Sequence, residues 1–162
     1  MATVLISYHS ETGNTELLAQ GVAAGVRSVP EVICLVKKIS ETTTDDLLEA
    51  DGIIIGSPTY FGIMSAEVKK VFDLSESVYG KMEGKVGGAF TTSGGLGSGH
   101  ESTNLSIIMA MLVSGMVIPG ITTGPHYGPF AAGKPTQDNM NNAQEMGKKI
   151  AELTRKLFPR EF

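Results

Sequence analysis

Thr3-Val4-Leu5-Ile6-Ser7-Tyr8-His9-Ser10-Glu11-Thr12-Gly13-Asn14-Thr15 is the stretch on which the fold turns. Its first half is an apolar run of strand length. In the Ser10–Thr15 half, four of six residues carry a hydroxyl or a primary amide, and Gly13 lets the backbone turn in close. Leu17, Leu18, Val22 and Val26 then recur at a spacing that suits a helix. Strand, polar glycine turn, helix is the order that aims helix N-terminal amides and the positive dipole end at an anion. The turn contains no Lys or Arg, so the anion expected there is a small phosphate monoester held by neutral donors. A turn whose Ser, Thr and Asn side chains serve only as helix caps is the alternative.

Outward from that stretch, strands and helices alternate. A helix is expected over 13–28, its interior Gly21 and Gly25 calling for close packing on a neighbour, with Pro30 marking the turn out. Residues 31–37 read as a second strand, and 45–50 as a short helix capped by Thr44. Gly52-Ile53-Ile54-Ile55-Gly56 is β-branched and uninterrupted, as a central parallel strand should be. Met64, Val68, Val71 and Phe72 form a helix face, residues 86–92 a fourth strand, and 105–113 a helix that is apolar almost all round. Met116-Val117-Ile118 is the expected fifth strand. A Gly/Pro-rich stretch over 122–136 leads to a last helix with Ala143, Met146, Ile150, Leu153 and Leu157 on one face, ended by Pro159. The pattern predicts a single α/β domain over residues 1–162, a doubly wound five-stranded parallel sheet of order 2-1-3-4-5 with helices on both faces. Ligands of such sheets bind beyond the carboxyl ends of the strands at the switch point, so the loops after strands one, three and four should meet at one site.

Composition narrows the classes. The chain has 162 residues, 41% hydrophobic and 19% charged, and carries a formal net charge of −4. That balance leaves no basic stripe for nucleic acid. The single cysteine, Cys34, excludes an internal disulfide, suits a reducing cytoplasm and reads as a buried, inert thiol. The first apolar run is too short for a leader, and no apolar run reaches membrane length.

The loop after strand three, Gly56-Ser57-Pro58-Thr59-Tyr60-Phe61-Gly62-Ile63, has what a planar ligand needs: a stiffening proline, two aromatic faces, and a glycine that frees a peptide. The loop after strand four, Thr91–Thr103, offers amide and hydroxyl donors with little bulk, as the polar edge of a ring or a polyol chain requires. It is not a dinucleotide fingerprint, because His100 stands where the third glycine would be. His9, His100 and His126 lack the spacing of a metal site. His126 and Tyr127, in the Gly/Pro stretch, are the candidates to line a substrate pocket.

Ser10-x-Thr12-Gly13-Asn14-Thr15 after a first strand resembles the phosphate loop of flavodoxins. With Gly56–Gly62, Phe90–Gly94, Glu101, Gly115-Met116-Val117-Ile118, Tyr127-Gly128 and Ala132-Gly133, the chain is similar to the WrbA family of flavodoxin-like FMN enzymes. The resemblance implies that Ser10, Thr12, Gly13, Asn14 and Thr15 hold the FMN phosphate. It assigns Pro58, Thr59, Tyr60, Phe61 and Gly62 to the isoalloxazine, and Thr92, Ser93, Gly94 and Gly95 to the ribityl chain and ring edge. It further implies NADH or NADPH as co-substrate and a quinone-like acceptor. The apolar fourth helix points to a homodimer or homotetramer. A one-electron carrier between protein partners is the alternative.

Overall fold

The computed structural model describes residues 1–159. Strand β1 (Ala2–Tyr8) is buried along its length and pairs in parallel with β2 (Val32–Lys38) on one side and β3 (Gly52–Pro58) on the other. Beyond β3 lie β4 (Val86–Ser93) and β5 (Phe130–Ala132), so the sheet is all-parallel in the order β2-β1-β3-β4-β5. This is the expected flavodoxin-like order.

Side-chain alternation along β1 and β3 sorts the core into two layers. Val4, Ile6, Tyr8 and Ile54 join α1 (Asn14–Arg27) and α5 (Gln137–Leu157) on one face. Leu5, Ile53 and Ile55 pack on the other face, with Leu47 of α2 (Thr44–Glu49), Val68 of α3 (Ala66–Leu74), and Ile107 and Met111 of α4 (His100–Val113). Of the four apolar residues whose spacing predicted α1, Leu18, Val22 and Val26 are buried, while Leu17 stays outside. Gly21 and Gly25 do face a neighbour: a Cβ on Gly25 would lie 2.0 Å from the Gln144 carbonyl oxygen of α5.

Several expectations need correction. The fifth strand is interrupted. Val117 makes one bridge, accepting from Gly87 N at 2.9 Å and donating to Lys85 O at 2.8 Å. Pro119 has no amide to continue that ladder, so the chain leaves the sheet and returns only at Phe130–Ala132. Asn104 holds the point of return, its amide group donating to Gly128 O at 3.1 Å. α4 begins at His100, a turn earlier than its apolar stretch implied, and Met109, Leu112 and Val113 on it are exposed. Thr43, not Thr44, caps α2 in a reciprocal capping box with Asp46. Cys34 is half-buried on the edge strand, though burial does push its thiol pKa up, consistent with an unreactive group. Leu157, expected on the buried face of α5, is 48% exposed.

Candidate functional site

The carboxyl ends of β1, β3 and β4 open into one cleft of about 380 Å³. It is lined by Glu11, Thr12, Asn14 and Thr15 from the first loop, Pro58, Thr59 and Tyr60 from the second, and Thr92, Ser93 and Gly94 from the third. The three predicted loops therefore do meet. Gly133, just past β5, adds a fourth side. It and Glu11 are the cleft residues that sequence reasoning did not assign. Glu11 carries no side-chain donor, and Gly133 follows β5, a strand of only three residues inside the Gly/Pro-rich stretch.

In the first loop, Ser10 Oγ accepts from the amides of Gly13 at 3.1 Å and Glu16 at 3.3 Å. Gly13, at φ 95°, occupies the cap position of α1 and offers it no side chain. The amides of Asn14 and Thr15 at that helix end are thus the ones left for an anion. Hydroxyl pairs stitch the loops together beneath: Thr15 Oγ1 to Thr92 Oγ1 at 2.7 Å, and Thr59 Oγ1 to Thr91 Oγ1 at 2.9 Å. A Cβ added at Gly13, Gly94 or Gly133 would meet nothing within 4 Å, so these backbones face open space. Neither Lys nor Arg is among the described residues that line the cleft.

Two buried histidines brace the site. His100, 7% exposed, stacks on Phe130 with ring centroids 4.2 Å apart, and its Nε2 meets Ser93 Oγ. Ser93 Oγ has one proton and gives it to Gly95 O at 2.7 Å, so His100 donates to Ser93. Burial pushes the His100 pKa down, opposed by the Glu101 carboxylate. His9 is held between Ser65 Oγ, 2.8 Å from Nδ1, and Glu11 Oε1, 2.6 Å from Nε2. Glu67 Oε2 lies 3.4 Å from Nδ1. Sequence spacing did not bring out this His9, Glu11 and Glu67 group, whose ligand-type atoms lie within 4.8 Å of one another. The two carboxylates address opposite ring nitrogens of His9. His9 also meets Tyr60 edge-on at 6.2 Å. Burial, with Glu11 and Glu67 nearby, pushes the Tyr60 pKa up, so its hydroxyl stays protonated.

Other predicted residues lie apart. Phe61 projects into solvent at 106% exposure from a turn tip shared with Gly62, and neither lines the cleft. Gly95 serves through its carbonyl, which accepts from Ser93 and Ser98. His126 and Tyr127 line a separate hollow with Gly87, Ile118, Met146 and Ile150, and His126 Nδ1 donates to Ile121 O at 2.8 Å. The structure does not bring this pair to the three-loop cleft, because the interruption of β5 carries them away from the strand ends.

The cleft suits a mononucleotide flavin. Its volume falls within the ~300–1,000 Å³ usual for ligand pockets, one end offers uncharged amides and hydroxyls, and an aromatic lies on one wall. Comparison with known proteins agrees. Residues 2–127 match the family described as NADPH-dependent FMN reductase. The chain is 36% identical over 160 residues to a flavodoxin of Aquifex aeolicus, covering 94% of this chain and 86% of that one. It is 33% identical over 191 residues to an NAD(P)H dehydrogenase (quinone) of Archaeoglobus fulgidus, covering 97% and 100%. The solved WrbA-like flavodoxin from Agrobacterium tumefaciens superposes with a TM-score of 0.84 at 26% identity, covering 98% and 100%. The chain belongs to the NADPH-dependent FMN reductase family: it is a flavodoxin-fold oxidoreductase with FMN as cofactor and a reduced nicotinamide as co-substrate.

Proposed function

We propose that the protein transfers hydride from NADH or NADPH, by way of FMN, to a quinone-like acceptor. The observation that carries this is the cleft itself, in which three loops present neutral donors around a space of about 380 Å³. Bound FMN supplies the hydride-accepting and hydride-donating chemistry. The chain's part is to bind and orient it. Ser10, Thr12, Gly13, Asn14 and Thr15 hold the phosphate through amides and hydroxyls. Pro58, Thr59 and Tyr60 form the ring-side wall, with Phe61 and Gly62 at its rim. Thr92, Ser93, Gly94 and Gly95 take the ribityl chain and the polar ring edge. Nicotinamide and acceptor use the open side of the cleft in turn.

The names of two relatives, both NAD(P)H dehydrogenases (quinone), support this acceptor class. In this reading the chain is one FMN-binding domain that works in the cytoplasm. It pairs with a second copy through the exposed Met109, Leu112 and Val113 of α4. Among the described residues no helix is long and apolar enough to cross a membrane. One finding favours the second reading, a one-electron carrier: the 36% identity to a flavodoxin.

The deciding experiment is anaerobic. Purified protein is titrated with FMN, mixed with NADH or NADPH, and then given a soluble benzoquinone. Bleaching of the flavin within seconds, and recovery of its absorbance on adding quinone, is the expected result. Flavin that binds but is not bleached by either nicotinamide would leave the carrier reading in its place.

A further inference from the structure

The segment that follows the ring-side wall is a tight two-residue hairpin. Tyr60 N donates to Ile63 O at 3.1 Å, and Ile63 N to Tyr60 O at 3.2 Å. Both central residues have positive φ, 52° for Phe61 and 78° for Gly62. Glycine adopts that conformation freely, but a bulky aromatic at the first position is strained, and such strain persists only where the surroundings enforce it. The Phe61 side chain enforces nothing, being fully exposed.

The enforcement comes from α4. Ser102 Oγ donates to Gly62 O at 2.6 Å and shares its proton with Gly99 O at 3.1 Å. One helical turn on, Ser106 Oγ accepts from Met64 N at 3.0 Å while giving its own proton to Thr103 O at 2.7 Å. Residues four apart lie on one helix face, so the two hydroxyls grip the two ends of one short segment. Gly99 closes the arrangement: a Cβ there would fall 2.8 Å from Gly62 Cα, so backbone meets backbone directly. None of these three residues lines the cleft.

We propose that Ser102 and Ser106 are positioning residues, a latch that holds the strained Tyr60–Ile63 turn shut before any cofactor arrives and so pre-forms the flavin-ring side of the cleft. This rests on the FMN reading above. A wall already ordered in the free protein does not have to be ordered on binding, and the ring subsite gains affinity by that difference. The phosphate-loop hydrogen bonds described above, between Ser10 Oγ and the Gly13 and Glu16 amides and between Thr15 Oγ1 and Thr92 Oγ1, do not involve Ser102 or Ser106. The effect should therefore be the same for FMN and for riboflavin, which has the ring and lacks the phosphate.

The test has two arms, run on wild type, Ser102→Ala, Ser106→Ala and Ser102→Thr. The first measures amide hydrogen exchange in the cofactor-free protein. With one hydrogen bond removed, the Tyr60 and Ile63 amides should exchange about fivefold faster in each alanine variant, with β3 core amides unchanged and Ser102→Thr restored toward wild type. The second arm titrates FMN and riboflavin. Ser102→Ala should weaken both by the same factor of about five, leaving their affinity ratio constant. Unchanged exchange at Tyr60 and Ile63 overturns the latch, as does a loss confined to FMN. Exchange as expected in a protein that binds neither flavin would uphold the latch as a structural device and sink the FMN reading instead.

Discussion

Replacing Gly25 by Ala should destabilise the protein, although the same change in an open helix stabilises by about 1 kcal/mol. The added Cβ would lie 2.0 Å from Gln144 O and 2.8 Å from Lys148 N, both backbone atoms of α5. Ordinary carbon–oxygen contact needs about 3.3 Å, so α1 and α5 must part by more than an ångström along a seam with no side chain to yield. Overpacking of this kind costs about 1–3 kcal/mol, and rigid backbone on both sides puts this site at the upper end. Set against the propensity gain, the net loss is about 2 kcal/mol, or ~4–8 °C in Tm for a chain of this size. The opposing contact is symmetrical: a Cβ on Gly147 of α5 would lie 2.1 Å from Val22 O of α1. Gly147→Ala should behave alike, and the double variant should lose clearly less than the sum, since one separation relieves both overlaps. Urea and thermal unfolding followed by circular dichroism measure all three. A Gly25→Ala protein as stable as wild type, or strict additivity in the double variant, would refute the reasoning.

Three further outcomes are expected. Ser10→Ala removes the acceptor for two loop amides and should raise the FMN Kd about tenfold, measured by quenching of flavin fluorescence, with Tm nearly unchanged. Lys85, almost fully buried, donates to the carbonyls of Leu47, Leu48 and Ala50 at the end of α2, so Lys85→Met should cost about 3 kcal/mol in urea unfolding. The native His100 pKa lies below its ordinary value near 6.5, so as pH falls the unfolded chain takes up that proton first. The contribution of neutral His100 to stability is therefore present above about pH 6.5 and lost below it. The drop in Tm between pH 7.5 and 5.5 should be smaller in His100→Gln than in wild type.

Much of the fold was legible because β1 and β3 are apolar runs and the polar glycine turn after β1 leads straight into a helical period, whether it serves as a cap or as an anion loop. The cleft followed from topology, since parallel strands put Thr15, Thr59 and Thr92 at one edge whatever their side chains. What escaped notice was long-range or local in ways that composition does not encode. Met116-Val117-Ile118 has strand character, but Pro119 permits it only one bridge. The polar start of α4, His100 to Asn104, carries no apolar period, although those residues hold Ser93, Gly62 and Gly128 in place. His9, Glu11 and Glu67 come together only once α3 is laid beside β1, and Phe61 reads as a stacking aromatic until its φ is known.

The break in β5 also bears on the two outer margins of the sheet. A sheet is open to foreign strands along its two outer margins. On the far margin, among the described residues, the Val117 bridge and the three residues Phe130–Ala132 pair with β4, and the excursion from Pro119 to Pro129 interrupts the ladder between them. On the near margin Ile33 and Leu35 are uncovered, and Lys37, ion-paired with Asp46, and the exposed Lys38 follow at the strand's end. The interruption thus leaves the far margin, among the described residues, without a long continuous ladder of the kind a foreign strand extends.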